Sequence, residues 1–86
     1  MVTESPDVTS YDPELLDHVG SLRSDAALME EYARRLRATA ATLDGCPAGP
    51  EWSRPVLERQ ADACGTAAEQ LRAAAEALLA HTRAGD

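Results

Sequence analysis

The sequence predicts an all-α protein, an antiparallel two-helix hairpin that completes a four-helix bundle by dimerisation. Three observations lead there. Leu15, Leu22, Met29, Leu36 and Leu43 recur every seventh residue, and Val19, Ala26, Ala33 and Ala40 follow four residues after the first four of them. The pattern returns as Leu57, Cys64, Leu71 and Leu78, with Ala61, Ala68 and Ala75 four residues after the first three. Spacings that alternate four and three are the seam of a helix lying along another helix. Composition agrees: 86 residues with no Phe, no Ile, 17 Ala and 10 Leu favour helices and leave too few strand formers for a sheet.

Each element has its own signals. Residues 1–11 have no periodicity and read as a flexible arm, and residues 12–86 as the hairpin. Asp12-Pro13-Glu14 is a helix start, with Asp as N-cap, Pro in the first turn and an acid where the helix dipole favours it. The first helix is expected over about 13–44, interrupted only by Gly20. Gly45-Cys46-Pro47-Ala48-Gly49-Pro50 ends it, giving a loop over 45–52. Ser53 is the expected N-cap of a second helix running to about 83. Equal helices of about 45–48 Å joined by a short loop fold back on each other. Residue i then faces roughly residue 97 − i.

A hairpin buries one stripe per helix, too little for a domain this small. A further small-residue stripe on the second helix, Val56, Ala63, Ala67, Ala74 and Ala77, is the expected partner interface, with Leu16, Leu28, Tyr32 and Ala41 as a weaker set on the first. Alanine serving as a helix former on a wet face is the plainer alternative. Trp52 in the loop either caps the Leu43, Val56 and Leu57 end, the simpler reading, or is offered to a partner as an aromatic anchor.

Other function classes find little support. A net charge of −7 argues against nucleic acid, and the one basic cluster, Arg34, Arg35 and Arg37, reads as a solvated face in which Arg34 and Arg35 follow Glu30 and Glu31 at i,i+4. No run approaches the ~20 apolar residues of a membrane span. Glu4 and Asp7, without a basic start or an apolar run, do not read as a cleavable secretion signal. His18 and His81 share the open end of the hairpin without the spacing of a metal site. The pairs Glu30 with Glu31 and Glu58 with Asp62 read as solvated, and Cys64 as a seam residue far from either histidine. Cys46 lies in the loop, out of reach of Cys64, and could bridge only between chains. No catalytic, cofactor or metal residue is therefore expected.

The stretch Val8-Thr9-Ser10-Tyr11-Asp12-Pro13-Glu14-Leu15, the central Trp52 and the Ala-rich second helix after Gly49-Pro50-Glu51-Trp52-Ser53-Arg54-Pro55 resemble the small helical hairpins of type VII (ESX-type) secretion. The likeness is greatest to the ESX-1-secretion-associated Ala-rich subfamily and covers residues 8–83. Where that family has Trp-x-Gly this chain reads Trp52-Ser53-Arg54. Where exported members carry Tyr-x-x-x-Asp/Glu it reads His81-Thr82-Arg83-Ala84-Gly85-Asp86. The resemblance implies a homo- or heterodimeric partner, cytoplasmic before export by a signal-peptide-independent route, paired with a larger secreted effector or presented to a secretion ATPase. The competing expectation is a cytosolic accessory module of a toxin or regulatory complex that is never exported.

Overall fold

Helix α1, Pro13–Asp44, and helix α2, Ser53–Gly85, pack side by side along their length in a computed structural model that describes residues 12–85, with side chains for 12–82. The expected arm over 1–11 lies outside the described residues. The first turn of α1 is capped from both directions. Leu16 N–H donates to the Asp12 carbonyl at 3.1 Å, and Glu14 N–H donates to the Asp12 carboxylate at 3.0 Å.

Helix α1 ends without a left-handed residue. Gly45 has φ −91° and ψ 6°, and the last turn tightens as Gly45 N–H reaches the Thr42 carbonyl at 3.3 Å. Two turns then reverse the chain. Gly49 N–H donates to the Cys46 carbonyl at 3.1 Å across Pro47-Ala48, and Ser53 N–H to the Pro50 carbonyl at 3.0 Å. The expectation for Ser53 needs correcting. The Trp52 carbonyl accepts the first helical bond, from Val56 N–H at 3.3 Å, so Trp52 is the cap and Ser53 is already the first helical residue, buried in the turn. Pro55 still costs nothing, because it sits within the first turn, where N–H groups have no helical acceptor. At the other end α2 runs to Gly85, two residues beyond the expected stop.

The buried core consists of small side chains. Val19, Ala26, Ala33 and Ala40 of α1 and Ala61, Ala68 and Ala75 of α2 are each 4% exposed or less. Val19 is the largest buried side chain among the described residues. The large columns, Leu15 to Leu43 and Leu57 to Leu78, are only half-buried. Small residues at the centre let the helices approach closely, and the large ones then cover that centre from one side. Cross-helix ion pairs fix the register. Arg23 meets Glu76 at 2.9 Å and Arg37 meets Asp62 at 2.8 Å, each two residues further along α2 than the simple map places them.

Candidate interaction face

The two helices leave unlike flanks on either side of the seam. One flank carries the column that follows each large residue by one: Leu16, Arg23, Glu30, Arg37 and Asp44. Its four charged members alternate in sign, and every one pairs across to α2. Besides Arg23 and Arg37, Glu30 takes both amino groups of Arg72 at 2.6 and 2.9 Å, and Asp44 meets Arg54 at 3.3 Å. The hydrogen bond from Arg72, with help from its charge, holds the Glu30 carboxyl below the usual carboxylate range, and the same bond raises Arg72. This corrects the expected pairing along α1, since Glu30 reaches across the seam. Glu31 alone holds the local arginines, at 2.7 Å to Arg34 and 3.4 Å to Arg35, and its carboxyl is lowered by the Arg34 hydrogen bond first. A bidentate fork to a guanidinium across the seam satisfies both oxygens of Glu30 at once, which an i,i+4 partner does not.

The other flank carries the half-buried large columns of both helices and the residues beyond them. Asp25, Leu28 and Met29 of α1 come together with Ala67, Gln70 and Leu71 of α2 around an open groove of about 380 Å³. Leu28 is 59% exposed and Tyr32 53%. Next to the groove, Leu28 and Tyr32 with Glu31 and Arg35 frame a shallower notch of about 200 Å³. Apolar side chains of this size, standing open along one flank, are what an interaction face looks like before it is covered.

Most of the residues expected at an interface lie on or beside this flank. Val56 and Ala67 are half-buried, while Ala63, Ala74 and Ala77 are exposed. All five belong to one row, Val56, Gln60, Ala63, Ala67, Gln70, Ala74, Ala77 and His81, spaced four and three without a break and free of Asp, Glu and Arg. That row has the spacing of a seam, beside the first one, with nothing packed on it among the described residues. The weaker set on α1 divides. Leu28 and Tyr32 join the apolar flank, whereas Leu16, 45% exposed, heads the charged column and Ala41 stands outside both. Trp52 does not cap the hairpin end and is 66% exposed at its tip.

Groups that could do chemistry are scattered or engaged. His18 and His81 are both exposed, and no cluster of three metal-ligating side chains occurs among the described residues. Cys46 is an exposed free thiol, and Cys64 a half-buried one. Glu58 and Asp62, a candidate carboxylate pair, are held by Arg54 at 3.5 Å and Arg37 at 2.8 Å. The charged column across the seam escaped the sequence reading. Its signal was there, since Arg23, Glu30, Arg37 and Asp44 recur every seventh residue immediately beside the apolar column. Among the described residues no helix is long and apolar enough to cross a membrane. No known protein family, curated protein or solved structure matches the chain.

Proposed function

We propose that this chain is one half of a helical assembly, a type VII secretion-associated hairpin that pairs with itself or with a larger helical effector as its export or targeting partner. One observation carries the pairing. Among the described residues the side chains buried between α1 and α2 are Val19 and alanines, while the Leu and Met columns are half-buried and Leu28 and Tyr32 stand exposed on a single flank. Two helices sharing so small a core leave most of their apolar side chains to a further layer. The sequence likeness of residues 8–83 supplies the secretion context, and the acidic charge and the exposed Trp52 in the turn are in keeping with it.

The experiment follows a tagged chain in its native host with and without the secretion ATPase. Loss of the chain from the culture medium in the deletion strain, with the cellular pool intact, is the expected result. A second reading uses the same face in a cytosolic module of a toxin or regulatory complex. It is favoured by Arg54, which stands where the secreted hairpins have the glycine of Trp-x-Gly and is tied to Asp44 and Glu58 within the hairpin. A chain that stays inside the cell in both strains decides for that reading.

A further inference from the structure

We infer that Met29 is an oxidation site for peroxides, open while the apolar flank is bare and closed once a partner covers it, so that oxidation keeps an unpaired hairpin unpaired. The inference rests on the proposed function for the cover, and it adds a way in which that cover is controlled. The columns of large residues carry the first observation. Leu fills seven of their nine places, and the two exceptions, Met29 and Cys64, both carry sulfur. They fall near each other rather than at the ends. Leu71, which lines the same groove as Met29, is one heptad from Cys64. Packing does not select sulfur here, since Met and Leu exchange at nearly constant volume. What Met adds is a polarisable thioether that can take up oxygen.

Access is the second observation. Met29 is half-buried, but with Leu28 and Leu71 it lines the open groove of about 380 Å³. A water molecule takes about 30 Å³ of liquid volume, and hydrogen peroxide is little larger, so the groove admits the oxidant. The closed seam, by contrast, is Val19 and alanines and holds no sulfur among the described residues. Oxidation therefore strikes the flank and spares what holds α1 to α2.

The chemistry needs only the peroxide. The Met29 Sδ gives an electron pair to one oxygen of hydrogen peroxide and the O–O bond breaks. The departing hydroxide takes the proton of the transferred hydroxyl, so the products are methionine sulfoxide and water. Sulfur is oxidised and the peroxide reduced, and reduction of the sulfoxide restores the thioether. The consequence differs between the two states of the flank. On the bare hairpin, water satisfies the new oxygen. Under an apolar cover that oxygen loses its water, and a buried acceptor without a partner is costly. The sulfoxide therefore sits easily on the lone hairpin and opposes covering. Once the flank is covered, the same cover keeps peroxide away from Met29.

Hydrogen peroxide on the full-length chain tests this, with the mass of the proteolytic fragment around Met29 as the readout. In dilute chain Met29 should oxidise within about fivefold of the rate of N-acetylmethionine amide, as an accessible thioether does. The rate should fall about tenfold where the chain is assembled, with itself or with a helical protein of its host. The oxidised chain should assemble about tenfold or more weakly by sedimentation equilibrium, with far-UV circular dichroism unchanged. Met29→Leu, which restores the residue found elsewhere in the column, should assemble like the parent and lose the sensitivity to peroxide. A Met29 that is protected about a hundredfold in dilute chain overturns the inference. So does a sulfoxide form that assembles as well as the parent. A Met29→Leu chain that peroxide still disassembles also overturns it, and moves the sensitivity to Cys46 or Cys64. A chain that keeps single-chain mass with every helical protein of its host sinks the proposed function, whereas rapid oxidation of Met29 in that chain still supports the site.

Discussion

The charged flank of the hairpin is finished and the apolar flank is not, although both are built from columns of the same length and spacing. On the first, Arg23, Glu30, Arg37 and Asp44 all find partners on α2. On the second, Leu28 and Tyr32 face outward over a groove floored by Met29 and Leu71. Exposed ion pairs add little stability, but they fix register and orientation and disfavour a slipped pairing. The apolar flank holds most of the side-chain area that could still leave water. The two sides thus differ in role, one setting how α1 meets α2 and the other, on the proposed function, offering the surface that a partner would cover.

The seam beneath both flanks is where a substitution does most harm. Ala33 is 4% exposed between the helices, so Ala33→Asp places an unpaired carboxylate where no water reaches it. A loss on the order of 3 kcal/mol or more is expected. Urea unfolding followed by circular dichroism measures it, and an unchanged midpoint would show that the small column is not the seam. Replacing both Leu28 and Tyr32 by Gln should leave monomer helicity alone and weaken assembly by about 2 kcal/mol, or roughly thirtyfold in dissociation constant. Equal losses in helicity and in assembly would mean that the two residues support the hairpin itself.

Smaller effects separate local from cross-seam contributions. A methyl group added at Gly20 meets nothing within 4 Å. Gly20→Ala should therefore raise stability by about 0.5–1 kcal/mol through helix propensity alone, read as a higher melting temperature with the same mass. The gentlest probe is pH. Because Glu30 has a lowered carboxyl in the folded chain, the unfolded chain binds protons first as pH falls. The stability due to its bond with Arg72 is thus fully present above about pH 4.5 and fades as pH drops through the lower folded value. Glu30→Gln should flatten that part of the pH profile.

What the sequence alone could reveal divides along the same lines. The four–three spacing of Leu15, Val19, Leu22 and Ala26 identified the seam, because period is a property of one helix read by itself. Asp12 before Pro13 identified the start of α1 for the same reason, a cap being local chemistry. The partner of Glu30 was misread because choosing between Arg34 and Arg72 depends on the register between helices, which no local pattern fixes. For Trp52 the local pattern leaves two readings open, a cap on the hairpin end and a ring offered to a partner, and its exposure at the tip speaks against the first. The stripe from Val56 to Ala77 was visible as small residues, but only the cross-helix ion pairs put its centre level with that of Leu28 and Tyr32.

The claim that the apolar flank is a covered surface is tested most directly by the concentration dependence of thermal unfolding of the purified chain. Folding coupled to pairing makes the melting temperature rise with protein concentration, because the assembled state draws on mass action. The account predicts a steady rise over a hundredfold dilution series, together with twice the chain mass by light scattering at its upper end. A cooperative transition at a concentration-independent temperature, from a species that keeps single-chain mass both alone and mixed with the helical proteins of its native host, would contradict it.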